Sequence, residues 1–157
     1  MDTIRPAEYN DIFRLSEIEV FNYRLNFYPI FLNDEFYFSG FTVETLIDRY
    51  KKNREALKNT FVYDDGCVKG FIRISGNEIQ KLFVEPVLQN QGIGACLLTF
   101  AVHEKGAQTL WALEKNTRAI AFYERHGFTK TGDRKPEEDT DEYLIRLERR
   151  SENARSL

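Results

Sequence analysis

The chain is poor in what a metal centre, a disulfide scaffold or a membrane span requires. Of its 157 residues two are cysteine and two histidine, and the separation of Cys67 from Cys96 matches no metal-ligand pattern. No metal is therefore expected. The cysteines fall in a strand-like and a helical segment and read as small buried apolar residues, with a redox role as the alternative. Neither His103 nor His126 has a nucleophile beside it, and His126 just before Gly127 suits the C-terminal end of a helix dipole. No apolar run approaches the ~20 residues that cross a bilayer. The opening Met1-Asp2-Thr3-Ile4-Arg5 lacks the charged and apolar regions of a secretion signal, so a cytoplasmic location without a membrane partner is expected.

Excess positive charge is missing too. Lys and Arg number 22 against 25 Asp and Glu, a formal net charge of −3, which argues against nucleic acid as a partner because phosphate-backbone affinity needs clustered cations. The short basic run Lys51-Lys52-Asn53-Arg54 reads as the solvated end of a helix. Mild acidity is compatible with a cationic substrate such as an amine.

What the chain does have is an ordinary globular composition, 42% hydrophobic and 30% charged, and a length that fits one domain over residues 1–157. Its most informative segment is Glu85 to Gly94, a glycine-bearing turn between the β-branched and aromatic run Ile79 to Val84 and the apolar helix-like run Ile93 to Val102. The first N–H groups of a helix have no internal partner, and glycine lets an anion come close to them without a Cβ in the way. A phosphate-bearing small molecule is the implied ligand. A nucleoside triphosphate fits poorly, since Gly94 is followed by Ala95 and Cys96 rather than by Lys and Ser or Thr. A dinucleotide fits somewhat better, with Gly92, Gly94 and Glu114 at suitable spacing, but Leu97 stands where the third glycine belongs.

The element order read from periodicity is a mixed α/β one. A short strand begins at Ile4, and a helix with Ile12, Leu15 and Ile18 on one face follows the capping segment Tyr9-Asn10-Asp11 until Pro29 ends or bends it. Tyr28 to Phe41 is dense in aromatics and reads as a loop, and Thr42 caps a helix expected to run to Leu57. Strands at 61–63 and 68–74 meet at the hairpin signal Asp64-Asp65-Gly66, and 79–84 completes a meander. After the helix come a strand at Thr109 to Leu113, a helix from Thr117 to Arg125 stopped by Gly127, and strands at 128–132 and 142–147.

Gln89, Gly92 and Gly94 resemble the Gln/Arg-x-x-Gly-x-Gly/Ala signature of the GNAT family of N-acetyltransferases, and Asn116, Ala119, Phe122, Tyr123, Gly127 and Phe128 resemble its second signature at the usual spacing. Thr3-Ile4-Arg5-Pro6-Ala7 is similar to the family's first strand, so the resemblance runs over nearly the whole chain. It implies the acyl-CoA N-acyltransferase fold: a mixed, mostly antiparallel sheet with one splayed parallel pair, flanked by helices. It further implies transfer of an acetyl group from acetyl-CoA to the primary amine of a small molecule or peptide by direct attack in a ternary complex. A homodimer is compatible with the resemblance.

On that resemblance Gly92 and Gly94, with the backbone of Asn90, Gln91, Ile93 and Ala95, form a pyrophosphate cradle beside Gln89, and Asn90, where many relatives carry glycine, tolerates a left-handed conformation. Leu82, Phe83 and Val84 offer main-chain groups to the pantetheine arm and the thioester carbonyl, although their side chains read as core. Asn116 is a helix cap or a ligand contact, and Ala119 and Phe122 flank the cofactor, with Phe122 anchoring the helix and Tyr123 facing the ligand. Tyr123 is the candidate acid for the departing thiolate, and Glu78 the candidate base acting through water. Phe36-Tyr37-Phe38 with Asp34 and Glu35 is either a wall for a cationic acceptor or a flap packed on the sheet. The rival reading is a protein that binds coenzyme A without turnover.

Overall fold

The computed structural model describes residues 3–150. Its centre is a seven-stranded sheet in the order β1-β2-β3-β4-β5-β7-β6, built from β1 Ile4–Pro6, β2 Thr60–Asp64, β3 Val68–Ser75, β4 Glu78–Val84, β5 Thr109–Leu113, β6 Phe128–Pro136 and β7 Tyr143–Arg149. All neighbours are antiparallel except β4 and β5. The mixed sheet with one parallel pair is thus the expected fold. No helix among the described residues is long and apolar enough to cross a membrane.

The helices are α1 Ile12–Asn26, α2 Tyr28–Phe31, α3 Val43–Lys52, α4 Glu55–Lys58, α5 Ile93–Lys105 and α6 Thr117–Arg125. They cover both faces of the sheet, and the period-2 alternation of β3 sorts its side chains between them. Phe71 packs with Leu15, Ile18, Phe41 and Leu46 under α1 and α3. Ile72 and Ile74 pack with Leu97, Leu98, Ile120 and Phe128 under α5 and α6.

One register shift matters for everything that follows. Arg73 faces Lys81 and Ile74 faces Ile79, so Gln80 has no opposite residue on β3 and forms a β-bulge. A bulge inserts one residue, bends the strand and reverses the facing of the side chains beyond it. Ile79 and Leu82, three positions apart, therefore share the α5 face, while Lys81 reaches Glu19 on α1.

Several expectations are corrected. Cys67 and Cys96 are exposed, not buried: the first sits beside the hairpin turn and the second on the outer side of α5, where the neighbouring Leu97 and Leu98 take the core-facing positions. The helix expected over 42–57 is broken at Asn53, whose extended backbone ends α3, and one further turn, α4, precedes β2. The aromatic stretch 28–41 is not a loop but holds α2 and a π-helical turn at Phe36–Gly40. Pro29 does not end α1, which stops at Asn26; it lies in the first turn of α2, where a missing N–H costs nothing. β6 runs on to Pro136, four residues past the expected end.

Thr42 caps α3 as expected, its hydroxyl accepting from the Thr45 N–H at 3.2 Å while the Thr45 hydroxyl accepts from the Thr42 N–H at 2.9 Å. Thr42→Ala removes half of this reciprocal cap and should lower stability by about 1 kcal/mol; urea unfolding followed by circular dichroism reads this as a lower midpoint at unchanged slope.

Candidate active site

β4 and β5 pair at Glu78↔Thr109 and Ile79↔Leu110, and among the described residues no further register pair joins them. From the Gln80 bulge onward the two strands diverge. β5 continues to pair with β7 on its other side up to Leu113, and β4 with β3 up to Val84, so each strand turns one unpaired edge toward the gap. The gap opens into a cavity of about 1000 Å³, lined by Leu82, Phe83 and Val84 from one strand and Trp111, Ala112 and Leu113 from the other.

The end of β4 is pinned away from β5 by α1 and by the following turn. Its last carbonyl, on Val84, accepts from Asn22 Nδ2 at 2.8 Å and from Gln89 Nε2 at 3.2 Å. Gln89 also donates to Asn22 Oδ1 at 3.1 Å. The Gln89 side chain thus braces the end of β4 through Nε2, and the residue also lines the cavity.

The turn then enters α5 through two left-handed residues, Asn90 at φ 66° and Gly92 at φ 86°. The first hydrogen bond of α5 runs from Cys96 N–H to Gly92 C=O at 3.0 Å, which leaves the N–H groups of Ile93, Gly94 and Ala95 without helical partners. The space over Gly92 is open, with no atom within 4 Å of where a Cβ would stand. A Cβ on Gly94 would meet Phe122 Cζ at 3.5 Å, an ordinary contact. Protein packing therefore does not require glycine at position 94. Arg118, in the first turn of α6, reaches Asn90 Oδ1 at 3.4 Å and lines the cavity beside this turn, adding positive charge where unpaired N–H groups already favour an anion.

Across the gap, Asn116 caps α6: its Oδ1 accepts from Ala119 N–H at 3.3 Å, and the residue lines the cavity together with Ala119. Phe122 and Tyr123 both line it, and Tyr123 is the more buried of the two, at 9% exposure. Its ring lies against Phe122 and Phe128 with centroids 5.4 and 5.8 Å away. Burial raises the Tyr123 pKa above the ordinary phenol range, so this hydroxyl keeps its proton at neutral pH.

Glu78 is not brought to the cavity. It lies at the closed end of β4, paired with Ser75 and Thr109, and the lining begins one residue later at Ile79. The strand carries its far end, Val84, about 20 Å from Glu78.

The aromatic stretch divides. Phe36 and Tyr37 join Phe27 and Phe31 in the cavity wall, whereas Phe38 turns outward under Arg24, whose guanidinium carbon is 5.2 Å from the ring centroid. Asp34 is bound to the Tyr28 hydroxyl at 2.5 Å and, like Glu35, is absent from the lining. The carboxylates come instead from the β6–β7 connection, Glu137, Glu138 and Asp139. Burial first, then neighbouring Tyr23 and Glu137, push the Tyr37 pKa up to about 12.

This arrangement has known counterparts. The Acetyltransferase (GNAT) domain family matches residues 56–130, from α4 to the start of β6. The peptidyl-lysine N-acetyltransferase YjaB of Salmonella typhimurium is 31% identical over 100 residues, 58% of this chain and 69% of that protein. Among solved structures, apo YjaB of Escherichia coli superposes with a TM-score of 0.68 at 23% identity, covering 92% of this chain and 95% of that one. The putative acetyltransferase yncA of Salmonella typhimurium, solved with acetyl-CoA, superposes at 0.65 with 19% identity, covering 93% and 91%. With the splayed strands, the glycine turn and these matches together, the chain belongs to the GNAT family of acetyltransferases.

Proposed function

We propose that the protein transfers an acetyl group from acetyl-CoA to a primary amine of the lysine type, by direct attack of the amine on the thioester while both substrates are bound. The observation that carries the reading is the divergence of β4 and β5 beyond Ile79 and Leu110, which leaves two edges whose main-chain groups an extended amide-bearing chain can partner. The residues fit the cofactor. Gly92, Gly94 and the N–H groups of Gln91, Ile93 and Ala95, next to the left-handed Asn90, would hold the pyrophosphate, with Arg118 beside them. Main-chain groups of Leu82, Phe83 and Val84 would hold the pantetheine and the thioester oxygen. The Val84 carbonyl, already accepting two protein hydrogen bonds, is excluded from that set. Asn116 keeps its Nδ2 for a pantetheine carbonyl while its Oδ1 caps α6, and Ala119 and Phe122 would pack on the arm.

Tyr123 is the proposed acid. When the tetrahedral intermediate collapses, the C–S bond breaks with its electron pair on sulfur; the Tyr123 phenol, protonated at neutral pH, would hydrogen-bond the sulfur as charge develops and pass it a proton that water replaces. The acceptor would enter between the rings of Phe31, Phe36 and Tyr37 and the carboxylates of Glu137, Glu138 and Asp139, a pairing that favours an ammonium at the mouth. A lysine side chain suits that mouth, and the relative in Salmonella is named for peptidyl-lysine. Catalysis would come from positioning and oxyanion stabilisation.

Four outcomes are expected. Titration calorimetry should detect acetyl-CoA binding, and lysine-bearing peptides should release thiol faster than neutral alcohols; no binding would end the proposal. Tyr123→Phe should lower kcat by about 10- to 100-fold with little change in KM for acetyl-CoA, and an unchanged kcat would remove the hydroxyl from the mechanism. Gly94→Ala should fold normally yet bind acetyl-CoA at least about tenfold more weakly, because only the ligand needs the bare backbone there. Gly92→Ala, by contrast, should also destabilise the fold by about 1 to 2 kcal/mol, since its left-handed backbone penalises a Cβ.

A further inference from the structure

Behind the α1 wall of the cavity lies a cluster of charged side chains that the scheme above does not use. Glu19 on α1 is 1% exposed, and its Oε2 accepts from Lys81 Nζ at 2.9 Å while its Oε1 accepts from the Tyr50 hydroxyl at 3.1 Å. Arg73 on β3, also buried, donates through Nη2 to the Tyr50 hydroxyl and through Nε to Thr60 Oγ1 at 2.9 Å. Burial and Glu19 raise the Tyr50 pKa above the phenol range despite the opposing pull of Arg73, so Tyr50 contributes no charge. Burial pulls the Lys81 ammonium down, but Tyr23 and Glu19 more than offset it and its pKa ends up raised. Two cations thus face one carboxylate. A buried charge left without its counter-ion is costly, and the surplus here is positive.

Two members of the cluster reach the cavity, Lys81 and Tyr23. The Lys81 ammonium donates to the Tyr23 hydroxyl oxygen at 3.1 Å. The phenol is held in place by its ring, stacked on Phe41 with centroids 4.4 Å apart and edge-on to Phe27 and Phe83 at 4.8 and 5.7 Å. Because the oxygen accepts from Lys81, the single hydroxyl hydrogen must point elsewhere, and among the described residues nothing accepts it. The charged and titratable groups around Tyr23 are Lys81 from β4, Glu19 from its own helix, and Tyr37 from the aromatic segment packed on α1, itself influenced by Glu137.

We propose that Tyr23 is a catalytic hydrogen-bond donor to the oxygen of the acetyl thioester, and that Lys81 is a positioning residue that fixes the Tyr23 oxygen and lends the site its positive bias. The inference rests on the acetyl-transfer reading. In the step concerned, the amine lone pair forms the C–N bond and the carbonyl π pair moves onto oxygen as an oxyanion, which the Tyr23 O–H stabilises without giving up its proton. Collapse re-forms C=O and breaks C–S with the pair on sulfur. The nitrogen releases its surplus proton to water, sulfur takes one from Tyr123, and Tyr123 recovers one from water. Glu19 pairs with Lys81 at 2.9 Å and with Arg73 only at 4.0 Å, so the net positive charge is shared between β3 and β4, and its Lys81 end lies on the strand whose edge meets the developing negative charge, where a fixed cation stabilises a transition state more than the ground state.

Tyr23→Phe tests this with little disturbance, since it keeps the ring packing and the Lys81–Glu19 pair. Two readouts are made on the whole protein. With [1-¹³C]acetyl-CoA bound, the carbonyl resonance of the wild type should lie downfield of the free thioester, and in Tyr23→Phe it should return toward the free value. With a lysine peptide as acceptor, Tyr23→Phe should lose about 10- to 100-fold in kcat, by the same factor from roughly pH 6 to 9, with KM for acetyl-CoA within about twofold. Lys81→Met should show a similar loss and Lys81→Arg should restore part of it, which a purely structural role would not give. An identical carbonyl shift in wild type and Tyr23→Phe overturns the assignment, as does an unchanged kcat or a loss that fades as pH rises, the mark of a base. If the wild type takes up acetyl-CoA with the shift described but acetylates no amine, the acceptor reading fails and the contact with Tyr23 stands. If it takes up no acetyl-CoA, both fall.

Discussion

One unpaired residue, Gln80, holds this molecule open. The bulge it makes on β4 sits directly after the last register pair with β5, so the bend it introduces converts a parallel pair into a wedge. Left to themselves, two strand edges would zip together, because each main-chain group that loses water without gaining a partner costs about 1 to 3 kcal/mol. The wedge persists because its far end is tied back. The Val84 carbonyl is held by Asn22 and Gln89, and the Phe83 ring packs against Phe71 and Tyr23 on the α1 side. The open edge is therefore a built feature, and an extended amide ligand is the partner that suits it.

The same bulge divides labour between the faces of the sheet. Leu82 and Val84 turn toward α5 and α6, where Gly92, Gly94, Asn116 and Phe122 surround the gap. Lys81 and Phe83 turn toward α1, where the aromatic rings and the Glu19 cluster lie. In the proposed reaction the first face handles the acyl carrier and the second meets the acceptor and the oxygen of the thioester. Charge is graded in the same direction, with carboxylates at the β6–β7 connection and surplus positive charge deeper in. An ammonium would be attracted to the entrance and discouraged from keeping its proton further in, which offers a physical substitute for the base that Glu78, at the closed end of its strand, does not supply.

Much of the framework was legible because it follows from local rules. Thr109–Leu113 and Thr117–Arg125 appear with the boundaries read from periodicity and the Asn116 and Gly127 stops, and the left-handed turn into α5 follows from its Asn and Gly residues. What was missed depends on tertiary contact. Gln80-Lys81 breaks the alternation of the strand, yet only the pairing with β3 reveals the doublet as a bulge. Gln89 lines the cavity, and nothing local shows that its amide also ties the end of β4 to Asn22, 67 positions earlier. Nothing local to Glu19 or Tyr50 announces that Arg73 and Lys81 converge on them. The acids of 137–139 were hidden in a charged connection whose position over the cavity is set by β6 and β7.

The central claim is that the edges of β4 and β5 past the bulge are open in the free protein and become hydrogen-bonded to the acyl carrier. Residue-resolved amide hydrogen exchange, measured with and without coenzyme A, tests it most directly. The account predicts fast exchange in the free protein for gap-facing amides within 82–84 and 111–113, slow exchange at 79 and 110, and marked protection of the former group and of 91–95 when coenzyme A is added. Gap-facing amides already as protected as those at 79 and 110 in the free protein, or unchanged by coenzyme A, would contradict it.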